Sequence, residues 1–147
     1  MLNDRFTLLK ALCAEINMRG ISVSIDEDTI CIGREQWDRY SKRSMTMLSA
    51  SPGIVHGDKS FFIFASEQHD ENDAVVKYSI KLCDANKSEL MAWDLDAKRG
   101  HHKHEYSSGK KNPKHILSSG SIGSIVDDLM NRVRKFDPSR IKSQNEY

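Results

Sequence analysis

The segment 74–94 constrains the fold more than any other part of the chain. Ala74, Val76, Tyr78, Ile80 and Leu82 occupy every second position, with Lys77, Ser79 and Lys81 between them. Strand side chains alternate between two faces, so this pattern predicts a strand with one apolar and one polar face. Asp84-Ala85-Asn86-Lys87 reads as a turn, and Leu90-Met91-Ala92-Trp93 as the next strand. The two are expected to pair as a hairpin. An antiparallel sheet built on such strands needs a cover for its apolar face only.

Two helices are available as that cover. Phe6, Leu9, Leu12, Cys13 and Ile16 recur at steps of three and four residues, with Asn3 or Asp4 as the expected cap and Gly20 as the stop. Ile122, Ile125, Val126, Leu129, Val133 and Phe136 make a second stripe, capped by Gly120 or Ser121 and stopped by Asp137-Pro138. Between the helices, Ile21, Val23 and Ile25 alternate, as do Ile30 and Ile32, which suggests a hairpin. Residues 34–50 are ambiguous, since Trp37, Tyr40, Met45 and Leu48 could line a helix face but Ser41, Ser44 and Thr46 weaken the propensity, and Ser51-Pro52-Gly53 breaks the chain. Phe61-Phe62-Ile63-Phe64-Ala65 is apolar on both faces and reads as a central strand, with Phe62 expected under the helices. Residues 67–73 read as an acidic loop. The expected fold class is α+β: an antiparallel sheet of about five or six strands with the N- and C-terminal helices packed on it. Residues 1–137 are expected to form one domain, and 138–147 a flexible tail.

A chain of 147 residues, 38% hydrophobic and 29% charged, suits one folded domain. Net charge is +1, so no whole-molecule field argues for nucleic acid. Cys13, Cys31 and Cys83 are scattered among apolar neighbours with no CxxC pair, which suits buried, reduced thiols. There is no signal-like N-terminal segment and no membrane-length apolar run, so a cytoplasmic protein is expected, with no membrane partner.

Charge is nevertheless concentrated. Lys98, Arg99, Lys103, Lys110, Lys111 and Lys114 lie between residues 98 and 115, against the single acid Glu105. Inside this segment, Lys98-Arg99-Gly100-His101-His102-Lys103-His104 holds three of the six histidines. Imidazole titrates nearest neutral pH, and fixed cations beside it suit a phosphate. On an extended segment His102 and His104 share one face, while His101 and Lys103 share the other. One imidazole could take a proton and the other return it, as metal-independent RNA cleavage requires. The candidate catalytic residues are therefore His101, His102, Lys103 and His104. Lys98, Arg99, Lys110, Lys111 and His115 are the candidate substrate-binding residues. A metal site would use the same His-x-His, with Asp94 or His115 completing it. The three neighbouring cations argue against that site, so neither metal nor other cofactor is expected. The alternative to an enzyme is a non-catalytic module that contacts a partner protein or nucleic-acid backbone through residues 98–115. His56 reads as a turn residue, His69 as part of the acidic loop, and Trp93 as core.

Tyr78-Ser79-Ile80-Lys81-Leu82-Cys83-Asp84-Ala85, then Leu90-Met91-Ala92-Trp93-Asp94, then His101-His102-Lys103-His104 and an apolar helix, resemble the TumE-type toxins of bacterial and archaeal toxin–antitoxin pairs. The resemblance covers about residues 74–136. The chain departs from that pattern at Leu95, where Asn is usual, and in the short stretch before the histidines. The resemblance implies a cytoplasmic growth-inhibiting protein, silenced by a cognate antitoxin and acting on RNA. The site residues it carries over are His101, His102, Lys103 and His104, with Asp94.

Overall fold

The computed structural model describes residues 2, 4–96, 100–105, 114–117 and 120–136. Helix α1 spans Leu8–Met18 and helix α2 spans Ile122–Arg134. Among the described residues ten strands lie between them: β1 Ser22–Ser24, β2 Cys31–Ile32, β3 Gln36–Asp38, β4 Arg43–Ala50, β5 Gly53–His56, β6 Lys59–His69, β7 Val75–Asp84, β8 Glu89–Asp96, β9 Gly100–Glu105 and β10 Lys114–Leu117. The class is α+β, with antiparallel pairing in every ladder described. There are more strands than the five or six expected. Among the described residues no helix is long and apolar enough to cross a membrane.

Most of the sheet is a meander. Strands β6, β7, β8, β9 and β10 pair in chain order. On the other side of β6, one edge is shared by two strands. Gly53–His56 pair with Lys59–Phe62, and Thr46–Ala50 pair with Ala65–His69. The two are joined through Ser51-Pro52, where the Pro52 carbonyl accepts from the Ile63 N–H at 2.8 Å. Proline has no N–H to give a ladder, so the strand is interrupted where the sequence breaks. The ambiguous stretch 34–50 therefore holds two strands, Gln36–Asp38 and Arg43–Ala50, joined by a turn, and no helix. The expected hairpin between 21–25 and 30–32 does not form. β1 pairs with β5 and β2 pairs with β4. A 3-10 turn, Glu27–Thr29, separates β1 from β2, and the Asp26 carboxylate accepts from Asp28 N–H at 3.0 Å.

Cross-strand register sorts the side chains onto two faces. Ala50, Ala65, Ile80, Trp93 and Lys103 form one row across five strands. Leu48, Glu67, Tyr78, Leu95 and His101 form the neighbouring row on the same face. Both helices cover this face. Leu9, Leu12, Cys13 and Ile16 of α1 are buried there, as are Ile125, Val126, Leu129, Met130 and Val133 of α2. Phe61 and Ile63 join them, and Phe61 stacks edge-on to Phe136 with ring centroids 5.1 Å apart. Phe62 is on the opposite face, next to Phe64, and not under the helices as expected. The hairpin between β7 and β8 forms as the alternation predicts, and the buried Asp84 carboxylate accepts from the Asn86 and Ser88 N–H groups at 2.9 Å each.

α1 is capped from a distance. Asp4 lies outside the helix, and Thr7, at the cap position, makes no side-chain cap bond. Instead the Glu67 carboxylate on β6 accepts from Thr7 N–H at 2.7 Å and from Leu9 N–H at 2.8 Å. His69 Nε2 donates to the same carboxylate at 2.6 Å. Glu67 and His69 are 1% and 0% exposed, so the acidic loop proposed for 67–73 begins only after residue 69. A buried charge must be compensated, and here two helix amides and an imidazole compensate it.

The packing makes three outcomes testable. Glu67→Ala removes an acceptor from two helix amides and a buried imidazole, so it is expected to cost about 3 kcal/mol in urea unfolding. A loss under about 0.5 kcal/mol would show that α1 is anchored by its apolar stripe alone. The thiols give the second. Burial is the main cause raising Cys13 and Cys83 to about 11, while Cys31 is exposed, contrary to the expectation that all three are buried. At pH 8 a thiol reagent should modify Cys31 quickly in the native protein and reach the other two only after unfolding. The sign for stability follows from the same shift. Above the ordinary value of 9.0 the unfolded thiols lose their protons first, so folding stability should fall between pH 9 and about 11 and then level off. Flat stability across that window in a denaturant series would contradict it.

Candidate functional site

Strand β9 has the helices on one side and an open groove on the other, and alternation divides its residues between them. Lys103 pairs with Trp93 and therefore faces α2. Its ammonium donates to the Asp128 carboxylate at 3.0 Å, and Trp93 Nε1 donates to the same oxygen at 3.4 Å. Trp93 is 0% exposed, so its core reading holds. His101 pairs with Leu95 on that same face, and Tyr78 shares a 2.9 Å hydrogen bond with His101 Nδ1. The Tyr78 phenol is raised to about 12, chiefly by burial and secondarily by the Asp94 charge. Gly120, at φ +73°, lies against the His101 ring, where a Cβ would overlap it. Ser121 then caps α2, its Oγ accepting from Ser124 N–H at 3.1 Å. His101 and Lys103 thus join β9 to the second helix.

His102 and His104 point the other way, as the two-residue period predicts. They pair with Asp94 and Ala92 of β8, and their ring centroids are 5.0 Å apart. His104 Nε2 lies 3.2 Å from the Asp94 carboxylate. His102 Nε2 lies 3.8 Å from Asp94 and 3.9 Å from Asp96. On the far side of its ring, His102 Nδ1 is 3.0 Å from the Gly100 carbonyl. A carbonyl only accepts, so Nδ1 carries the proton and Nε2 is turned to the carboxylates. His102 is 5% exposed, and the side chains of His104 and Asp94 are 19% and 23% exposed. These groups line a groove of about 230 Å³ together with Ser66, Gln68, Lys77 and Ser79.

The expected site is therefore split. The structure brings together His102, His104 and Asp94, and separates them from His101 and Lys103. Lys103, expected to hold a phosphate beside the histidines, is committed to Asp128 on the opposite face. Lys98, Arg99, Lys110 and Lys111 lie outside the described residues. His115 is in β10 at the register position opposite His104. His69 is in the core with Glu67, and His56 ends β5. Asp96 was missed from the sequence, although it stands two residues after Asp94 and so shares its face. Ser79 and Lys77 were legible as the polar face of their strand. Comparison with protein-family models, with curated proteins and with solved structures finds no match to the chain.

The junction with α2 is testable separately from the groove. Gly120→Ala must adopt a left-handed backbone and displaces the His101 ring, so a loss of about 1–3 kcal/mol is expected. Its thermal transition should fall by several degrees, and an unchanged transition would show that His101 can move away without cost.

Proposed function

We propose that the protein is an RNA-directed, toxin-like ribonuclease whose reactive centre is the Asp94–His102–His104 group. The observation that carries this reading is the convergence of two imidazoles and a carboxylate within 3.2–3.8 Å, in a groove on the sheet face without helices. The resemblance to TumE-type toxins gives the substrate class and adds a cognate antitoxin as partner. RNA can be cut by its own 2′-hydroxyl. The 2′ oxygen attacks phosphorus, its proton passes to a base, the bond to the 5′ oxygen breaks, and that oxygen takes a proton. The products are a 2′,3′-cyclic phosphate and a 5′-hydroxyl. The reaction needs a proton acceptor, a proton donor and positive charge near the five-coordinate phosphorus. The groove supplies the titratable groups. Lys77 is the one lysine or arginine among the described residues that line it, and it supports contact with the phosphate chain.

Induced expression in a bacterial host, with growth and total RNA followed together, tests the reading. Wild type is expected to arrest growth and to leave RNA ends bearing cyclic phosphate. His102→Ala or His104→Ala should lower cleavage by about 10²–10⁴-fold, the range for loss of a proton-transferring group. His56→Ala should leave it unchanged. If the double variant His102→Ala/His104→Ala keeps a normal thermal transition and still arrests growth as wild type does, the groove is not a catalytic centre. The protein would then act as a binding module.

A further inference from the structure

The sequence argued against a metal because Lys98, Arg99 and Lys103 crowd the histidines. The fold weakens that objection, since Lys103 is on the far side of the sheet, bonded to Asp128. What faces His102 Nε2 is two carboxylates, at 3.8 and 3.9 Å. With Nδ1 turned to the Gly100 carbonyl, Nε2 is the ring nitrogen that His102 presents to those carboxylates. A carbonyl on the remote imidazole nitrogen is also the support found behind metal-bound histidines, where it fixes the tautomer and the ring orientation.

We propose that Asp94, His102 and His104 bind one divalent transition-metal ion of the zinc class. One donor atom from each residue lies within 4.8 Å of the other two. Ligands about 2.0–2.1 Å from zinc at tetrahedral angles lie about 3.3 Å apart. The His104–Asp94 separation of 3.2 Å is already at that value, and the His102–Asp94 separation of 3.8 Å needs an inward adjustment of about half an ångström. Two imidazoles and one carboxylate select zinc, cobalt, nickel or iron over magnesium or calcium, which prefer oxygen. Three protein ligands leave a fourth position toward the groove, the arrangement of catalytic rather than structural sites. Asp96 lies 3.9 Å from His102 Nε2.

The ion's chemical role rests on the ribonuclease reading above. Its binding does not. Bound in the groove, the ion supplies the positive charge that Lys103 does not. When bound, the ion would be held by Asp94, His102 and His104, with the histidines then acting as ligands in place of the proton transfer assigned to them above, and it would supply charge at the phosphate and an acidic bound water.

The test is titration of the chelator-treated full chain with zinc chloride, followed by calorimetry, and with cobalt chloride, followed by visible absorption. One ion per chain and the intense visible bands of low-coordinate cobalt are expected. His104→Ala and Asp94→Ala should weaken zinc binding by at least about 10²-fold while keeping a normal thermal transition. His56→Ala should bind as wild type does, and magnesium should not compete. Zinc affinity that is unchanged in both variants, or no saturable site at all, overturns the inference. RNA cleavage separates the two proposals. A site that binds zinc in a protein that cuts no RNA upholds the metal and removes the ribonuclease. Full cleavage after chelation, with no zinc site, upholds the ribonuclease and removes the metal.

Discussion

Side-chain alternation along β9 decides both what the protein packs and what it exposes. In register, Lys103 and His101 reach α2 and Tyr78, while His102 and His104 reach the groove. A slip of one residue would exchange these sets and set two imidazoles against the apolar faces of the helices. Several contacts oppose that slip at once: Lys103 with Asp128, His101 with Tyr78, and the His101 ring against a glycine that leaves room for it. The chemistry of the groove is thus held in phase by contacts on the opposite face. Neither set could be altered without regard to the other.

The helices are held by a different device. Hydrophobic burial draws α1 and α2 to one face but does not fix the angle or the axial position of α1, because apolar contact is non-directional. Glu67 supplies direction. Its two oxygens address the Thr7 and Leu9 amides, and His69 closes the group from the same strand. Desolvating a carboxylate costs several kcal/mol, so this arrangement adds little net stability compared with an apolar replacement of the whole group. What it adds is a defined place for the helix N-terminus, with a large penalty for removing any one member. At the other end of the chain, Lys59 donates to the Phe136 carbonyl at 2.7 Å, which ties the end of α2 to β6.

The sequence discloses those parts of the fold that rest on local pattern. The strand through Tyr78, Ile80 and Leu82, its hairpin to Trp93 and the two helical stripes all follow from periodicity and turn chemistry, while the cap of α2 was narrowed to Gly120 or Ser121 and is Ser121. The remainder depends on partners distant in the chain. Residues 43–50 carry serine and methionine that suit either period, and pairing with β6 decides for strand. β1 and β2 alternate like a hairpin, yet each finds a longer strand to pair with. Glu67 and His69 look solvated in a run of acids because their compensation comes from an amide terminus some sixty residues earlier, at |i−j| = 60 and 58. Within the site, the common face of His102 and His104 was readable from spacing. The commitment of Lys103 was not, because Asp128 lies 25 residues away on a helix.

That commitment changes the electrostatic character of the groove. Taken as a string, residues 98–104 are strongly basic, which suggests an anion site made by lysine and arginine. Folded, the described part of the site sets two carboxylates beside two imidazoles, with the nearest lysine of the string neutralised behind the sheet. A phosphate approaching Asp94 and Asp96 would meet repulsion of several kcal/mol at short range if nothing positive stood between them. A proton on one of the imidazoles would offset part of this. A divalent ion would offset it at any pH at which it stays bound, and would itself attract the phosphate. Two carboxylates and a divalent ion would sum to zero, so the ion would cancel the repulsion of a phosphate, and attraction would come from its open coordination position.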